Sequence, residues 1–114
     1  MTSKITRDEL KTMLDRGEAV TIVEALPEQY YRTAHLPGAL LLPHDQVDAL
    51  APTLLPDKTA PIVVYCANLP CPNSEIAAQR LSELGYTQVR EYAAGKQDWL
   101  DAGYPIEQGV AAAA

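Results

Sequence analysis

The sequence predicts an α/β fold in which a small parallel β-sheet is flanked by helices on both faces. Short apolar runs typical of buried strands alternate along the whole chain with segments of helical periodicity, which is the pattern of β-α-β units. The 114 residues fit one domain, and a hydrophobic content of 47% is sufficient for one core. The chain contains no internal repeat and no linker long enough to divide it.

The first predicted helix has a clear start and a clear end. Thr6 and Glu9 have the spacing of a capping box, in which each side chain binds the backbone N–H of the other residue. Leu10 and the apolar residues three and four positions later share one helical face. Gly17 stands where a C-terminal cap is expected, so we predict a helix between Thr6 and Gly17.

The segments that follow alternate between strand and helix. Residues 19–23 are a short apolar run that predicts a strand buried on both faces. Residues 27–32 predict a short helix with a proline in its first turn. The Pro-Gly pair within residues 35–39 indicates a turn, and residues 40–42 predict another strand.

The middle of the chain contains the clearest strand. Asp45 is a candidate cap for a helix through Leu50, and three prolines, the first of them Pro52, indicate an irregular connection after it. Residues 62–65 are β-branched or aromatic throughout, which is typical of a strand.

The last third of the chain predicts two helices and one strand. Ser74 is a candidate cap for a helix that ends at Gly85. The apolar face predicted for that helix consists of Ile76, Ala77, Leu81 and Leu84. Residues 88–92 predict the last strand, and residues 96–102 predict the last helix. We therefore place one domain over residues 1–108 and expect residues 109–114 to be a frayed tail or a remnant of cloning.

Composition excludes several classes of protein. Lys and Arg number 9 against 15 Asp and Glu, giving a net charge of -6, which disfavours nucleic acid or an anionic membrane as the main partner. Two cysteines cannot build the disulfide framework of a small secreted scaffold. No apolar run approaches the roughly 20 residues that span a bilayer, and residues 1–9 lack the apolar core of a signal peptide. We therefore expect a cytoplasmic protein.

Cys66 is the leading candidate for chemistry. It follows the strand 62–65 directly, and parallel sheets bind their ligands at the carboxyl ends of the strands. A loop bent from this strand towards a helix starting at Ser74 directs backbone N–H groups inward, and such groups favour an anion. We therefore expect the loop to lower the pKa of Cys66 and to favour its reactive thiolate form.

The composition of the loop limits the anion that it can bind. Pro70 and Pro72 have no N–H group, and no Lys, Arg or His lies between Cys66 and Ser74. Glu75, in the first turn of the helix, opposes a bound anion. The loop therefore suits a small or neutral group better than a dianion. The candidate amide donors are those of Ala67, Asn68, Leu69, Cys71, Asn73 and Ser74.

Several short motifs follow one another along about residues 5–107. They are Ile22-Val23-Glu24, His35-Leu36-Pro37-Gly38-Ala39, Val63-Val64-Tyr65-Cys66, Ala77-Ala78, Leu84-Gly85-Tyr86, Ala94-Gly95-Lys96-Gln97-Asp98-Trp99 and Ala102-Gly103-Tyr104-Pro105. In their order and spacing they resemble the rhodanese-like (sulfurtransferase) family. The resemblance implies a single domain with a parallel sheet of about five strands between helices. It also implies that Cys66 is the catalytic cysteine that carries a persulfide.

The resemblance further implies a double displacement, in which Cys66 takes sulfur from a small donor and passes it to a thiol or another nucleophile. It implies no metal and no organic cofactor. A protein acceptor is compatible with it, and an acidic surface suggests that such a partner offers basic residues.

Four departures from the family pattern bear on the sulfur donor. The usual Asp-x-Arg after the second strand is Glu24-Ala25-Leu26, so its arginine is missing, and Ala94 replaces the first residue of a Gly-Gly pair. The active loop is about two residues longer than the common one. It also lacks the arginine that many thiosulfate-using members carry, so we expect thiosulfate to be a poor donor.

Alternatives to these roles are open at the level of sequence. Cys66 can be an inert core thiol, and Cys71 can be a resolving thiol or a simple lining of the pocket. The two cysteines with His35 and His44 can be considered as a metal site, although tetrahedral sites favour closer cysteine pairs. Lys96, which follows the last strand, is a candidate cation near the thiolate or an ordinary solvated lysine.

Two other functions compete with sulfur transfer. The first is a sulfur-sensing, redox-sensing or binding module that uses Cys66 and Cys71 without turnover. The second is a phosphatase or arsenate reductase, but such enzymes need an arginine at the end of the loop, where Asn73 or Ser74 stands.

Overall fold

The computed structural model describes residues 3–109, and its centre is a five-stranded parallel sheet with the strand order β1-β5-β4-β2-β3. The strands are β1 (Ser3–Lys4), β2 (Thr21–Glu24), β3 (Leu40–Leu41), β4 (Ile62–Tyr65) and β5 (Val89–Tyr92). The helices are α1 (Arg7–Asp15), α2 (Glu28–Thr33), α3 (Val47–Leu54), α4 (Asn73–Glu83) and α5 (Gly95–Asp101). Strand β1 was not predicted, because its two residues are polar and exposed.

The sheet has a hydrophobic core on each face, which confirms the predicted α/β fold. The first core joins the sheet to α3 and α4, and it consists of Val23, Ala25, Leu42, Val47, Ala51, Leu55, Ile62, Val64, Ala77, Ala78, Leu81, Tyr86 and Val89. The second joins the opposite face to α1, α2 and α5, and it consists of Ile5, Leu10, Ile22, Tyr31, Leu36, Ala39, Val63, Tyr65, Tyr92 and Trp99. Strand β4 lies between β2 and β5 and contributes to both cores.

The predicted capping box of α1 is present. The Thr6 hydroxyl accepts from the Glu9 backbone N–H at 3.2 Å, and the Glu9 carboxylate accepts from the Thr6 N–H at 2.9 Å. Gly17 follows the helix with φ +68°, a conformation that glycine adopts without strain. Local sequence therefore determines both ends of this helix.

Helix α3 differs from the prediction, because it continues through Pro52 to Leu54 and Asp45 does not cap it. Pro52 has no N–H to donate within the helix, but tertiary packing compensates. Ala51 is buried in the core, and the Tyr86 hydroxyl donates to the Leu55 carbonyl at 2.6 Å and lies 3.2 Å from the Ala51 carbonyl oxygen. Burial thus outweighs the local preference of proline for ending a helix.

Helix α4 begins one residue earlier than predicted, and Ser74 is not its cap. Ser74 is fully buried in the first turn, where its hydroxyl donates to the Glu91 carboxylate of β5 at 2.7 Å. Ile76 is 46% exposed, so the predicted apolar face was wrong at that position, and Ala78 is buried instead.

The segment after α5 returns to the body of the domain. His35 and Glu107 exchange two backbone hydrogen bonds, and the Gly109 N–H donates to the Arg32 carbonyl at 3.0 Å. Gly109 is therefore anchored, whereas the rest of the predicted tail, 110–114, lies outside the described residues. Within residues 3–109, no helix has the length and apolar character that crossing a lipid bilayer demands.

Candidate functional site

Cys66 lies at the middle of the carboxyl edge of the sheet, directly after the central strand β4. The first residues of its loop are held by the start of α5. The Lys96 N–H donates to the Cys66 carbonyl at 2.9 Å, and the Gln97 N–H donates to the Ala67 carbonyl at 2.8 Å. This close contact passes over Gly95, where φ is +75°. The backbone on both sides of Cys66 is therefore fixed by the fold.

The sulfur of Cys66 is buried and faces mainly hydrogen-bond acceptors. Its Sγ lies 3.4 Å from the Cys71 carbonyl oxygen and 3.5 Å from the Ser74 hydroxyl oxygen. Burial raises the pKa of Cys66, and a hydrogen bond with Cys71 raises it further, while the backbone amide of Ser74 acts in the opposite direction. The expectation of a lowered pKa was therefore wrong, because it counted the amides but not the burial.

The predicted cradle of amides is only partly formed. The Ser74 N–H lowers the pKa of Cys66 and so favours the charged form of the sulfur. The Cys71 N–H does not, because it donates to the Asn68 carbonyl at 3.1 Å. No hydrogen bond among residues 3–109 links the sulfur to the amides of the other four candidates, which are Ala67, Asn68, Leu69 and Asn73. The loop is therefore folded over the thiol in this conformation.

Glu91 is a site residue that the sequence analysis missed. Its carboxylate is 5% exposed, and it accepts from the Ser74 hydroxyl at 2.7 Å and from the Lys4 ammonium at 2.8 Å. Glu91 stands in β5 between Val64 of β4 and Lys4 of β1, and a buried strand position is an unusual place for a charge. A charged residue at an inward position of a buried strand is the signal that could have revealed it.

Lys96 is neither a cation beside the thiol nor an ordinary solvated lysine, the two roles that the sequence left open. Its ammonium lies 3.0 Å from both carboxylate oxygens of Glu24, and it donates to the carbonyl oxygens of Tyr30 and Ala34. The Tyr65 hydroxyl donates to the same carboxylate at 2.6 Å.

This ion pair lies on the face of the sheet opposite to the Cys66 sulfur. Tyr65 and Cys66 are consecutive, so their side chains point to opposite faces. Tyr65 packs in the core with α1 and α5, and burial, together with the charge of Glu24, raises its pKa far above the ordinary value. The position of Lys96 after the last strand therefore predicted correctly that it lies at the carboxyl edge of the sheet. It did not show on which face of the sheet the side chain packs.

The two histidines are not assembled with the cysteines. The ring of His35 stacks on Tyr31 at 3.8 Å, and its Nδ1 contacts the Tyr31 carbonyl at 2.8 Å. His44 is half-buried, and its Nδ1 has no hydrogen-bond partner among the described residues. Across residues 3–109, no three side chains of His, Cys, Asp or Glu are grouped so that they could hold a metal.

Cys71 remains a candidate resolving thiol. It is half-buried, and neither it nor Cys66 is in a disulfide. Its backbone is adjacent to the Cys66 sulfur, through the 3.4 Å contact with its carbonyl oxygen. A resolving role for Cys71 stays a prediction.

The fold and the site together define a small α/β domain whose central strand ends in a buried cysteine beneath a strand-to-helix loop. The profile of the rhodanese-like domain family matches residues 6–102, and this chain belongs to that family.

Individual relatives agree with this assignment. The thiosulfate sulfurtransferase PspE of Escherichia coli is 40% identical over 73 residues, which are 64% of this chain and 66% of PspE. The HTH-type transcriptional regulator Rv0324 of Mycobacterium tuberculosis is 31% identical over 106 residues, which are 93% of this chain and 45% of that protein. The chain thus spans less than two thirds of either curated relative.

A solved structure shows the same fold. The thiosulfate sulfurtransferase from Pseudomonas aeruginosa superimposes with a TM-score of 0.83 at 25% identity. The match covers 95% of this chain and 20% of the other, so it corresponds to one part of a longer protein.

Proposed function

We propose that this protein is a sulfurtransferase that carries sulfane sulfur as a persulfide on Cys66 and passes it to a thiol or another nucleophilic acceptor. The observation that carries the proposal is the position of Cys66 at the carboxyl end of the central strand. Membership of the rhodanese-like family and the similarity to PspE, a thiosulfate sulfurtransferase, support it.

The proposed reaction is a double displacement at sulfur. The Cys66 thiolate attacks the outer sulfur of a donor, and the donor's S–S bond breaks with its electron pair leaving on the remaining donor sulfur. An acceptor nucleophile then attacks the outer sulfur of the Cys66 persulfide, and Cys66 leaves as a thiolate. The Ser74 amide donates to the charged sulfur in both halves of the reaction. The chemistry calls on no metal and no organic cofactor.

Access to the sulfur requires a change in the loop. Cys66 is fully buried, whereas residues 68–70 of the loop above it are exposed. The hydrogen bonds to α5 hold the loop only at Cys66 and Ala67. We therefore expect residues 68–72 to move aside when a donor binds, while the position of Cys66 is retained.

Sulfur loading tests the proposed function. We expect wild-type protein exposed to glutathione persulfide to gain one sulfur atom, and the Cys66→Ala variant to gain none, because no other side chain is proposed to hold the sulfur. Intact-mass spectrometry measures the gain. Cys71→Ala is the matched control, since it removes the neighbouring thiol and should still load. Equal uptake by the wild type and Cys66→Ala would refute the proposal.

Thiosulfate is expected to load Cys66 at least about tenfold less efficiently than a persulfide, because a dianion finds no cation in the loop and meets Glu75 and Glu91 nearby. The rate of sulfur uptake as a function of donor concentration measures the difference. Asn73→Arg, which adds a guanidinium at the end of the loop, should improve uptake from thiosulfate selectively. Gln79→Arg, on an exposed position of α4, is the control. Saturation of the wild type by low thiosulfate would contradict this prediction.

A second candidate is a redox-sensing or sulfur-sensing module without turnover. The contact between the Cys66 sulfur and the Cys71 backbone favours it, because a disulfide between the two would close a short loop. Mild oxidation would then remove two hydrogen atoms from the intact mass and add no sulfur. A reversible disulfide together with the absence of transfer to any acceptor would favour this candidate over the first.

The partners that we propose are a small sulfur donor and a thiol acceptor in the cytoplasm. If the acceptor is a protein, the net charge of -6 favours one that presents basic residues.

A further inference from the structure

The Cys66 sulfur is connected to a buried carboxylate through one hydroxyl group. The Ser74 Oγ lies 3.5 Å from the Cys66 Sγ and 2.7 Å from Oε2 of Glu91. All three side chains lie on the face of the sheet that α4 covers, because Cys66 follows Val64 by two residues and Glu91 follows Val89 by two. The three side chains therefore form a chain of polar contacts within an otherwise apolar core.

The direction of the hydrogen bonds along this line follows from the number of protons. A serine hydroxyl has one proton to donate, and an ionised carboxylate only accepts. The proton of Ser74 is therefore committed to Glu91, over the shorter and charge-assisted contact. The remaining lone pairs of the Ser74 oxygen can accept from the Cys66 S–H but offer nothing to a thiolate.

We propose that Glu91 is a positioning residue that acts through the Ser74 hydroxyl to hold Cys66 as a protonated thiol in the resting protein. The Cys71 carbonyl, at 3.4 Å, is a second acceptor for the same S–H. Burial also raises the pKa of Cys66, which agrees with this arrangement. The inference concerns the cysteine that the proposed function uses, but it is tested without a sulfur donor, so either can fail alone.

The charged groups around Glu91 determine which way a substituted amide would point. Lys4 of β1 donates to Oε1 at 2.8 Å, and Glu75 of α4 lies close enough to Lys4 to raise the pKa of that ammonium, after Glu91 itself. In Glu91→Gln the ammonium retains the amide oxygen as its acceptor. The amide nitrogen then faces the Ser74 oxygen and donates to it, which frees the Ser74 proton to point at the sulfur.

Glu91→Gln is therefore expected to raise the thiolate content of Cys66 about three- to tenfold at a pH below its midpoint, because a hydrogen bond to the charged form lowers a pKa. The ultraviolet absorbance of the thiolate, titrated against pH, measures this. All proteins in this titration carry Cys71→Ala. The absorbance of the corresponding protein that also carries Cys66→Ala is subtracted from each curve. Glu75→Gln removes a nearby carboxylate of the same kind without touching Ser74, and it should change the thiolate content much less.

Ser74→Ala supplies two further tests. In that background Glu91→Gln should lose most of its effect, and an undiminished effect would show that the charge of Glu91 acts directly through space, which overturns the proposal. Ser74→Ala alone should leave the thiolate content unchanged or raise it, because an acceptor of the S–H is lost. A fall in thiolate content would show that the hydroxyl already donates to sulfur and would also overturn it. This second variant remains informative if Glu91→Gln does not fold.

Discussion

Replacing Lys96 with methionine is expected to lower the free energy of unfolding by about 3–5 kcal/mol, although methionine matches the length of the buried stem. The Glu24 side chain is completely buried, and the Lys96 ammonium contacts both of its carboxylate oxygens at 3.0 Å. The variant leaves this carboxylate buried without a cation, and the carbonyl oxygens of Tyr30 and Ala34 lose their donor. Urea unfolding followed by circular dichroism measures the loss.

Two further variants separate the buried ion pair from lysine loss in general. Lys11→Met removes an ammonium that pairs with the exposed Asp15 on α1, and it should cost no more than about 1 kcal/mol. The double variant with Lys96→Met and Glu24→Gln should recover part of the stability, since no charge remains buried. Equal losses for the Lys96 and Lys11 variants would show that the buried pair is not needed for stability.

The sequence was most informative where local patterns act alone. The capping box of Thr6 and Glu9 and the β-branched run of β4 depend on neighbouring residues only, and both are as predicted. Strand β1 and the continuation of α3 through Pro52 depend on partners far along the chain, namely β5 and Tyr86. No periodicity within a short window carries that information.

The candidate site follows the same division. The place of Cys66 at the end of β4 could be predicted from the apolar run before it, because a parallel sheet brings strand ends to one edge. The protonation of Cys66 could not, because it depends on burial and on the Ser74 hydroxyl, which Glu91 engages from 17 residues away. A contact between a carboxylate of β5 and a hydroxyl of α4 leaves no pattern in the local sequence of the loop.

The close contact at Gly95 produces the second large effect. Gly95→Ala is expected to lower the free energy of unfolding by about 3 kcal/mol or more, of which about 1–2 kcal/mol reflects the left-handed backbone at φ +75°. The remainder arises because an added Cβ would lie 2.7 Å from the Cys66 carbonyl oxygen and 2.9 Å from backbone atoms of Ala67 and Asn68. Thermal and urea unfolding measure the change.

Gly38→Ala is the matched control, because Gly38 has the same φ of +75° but nothing within 4 Å of an added Cβ. It should show only the conformational cost, so the difference between the two variants isolates the contact with the loop.

The backbone atoms that an added Cβ at Gly95 would meet cannot rotate away, so α5 and the Cys66 loop would have to separate. The hydrogen bonds from Lys96 N–H and Gln97 N–H would then lengthen or break. Because those bonds hold the backbone at Cys66, Gly95→Ala should also slow sulfur loading, whereas Gly38→Ala should leave it unchanged. Equal destabilisation and equal loading rates for the two variants would show that the contact over Gly95 does not position the thiol.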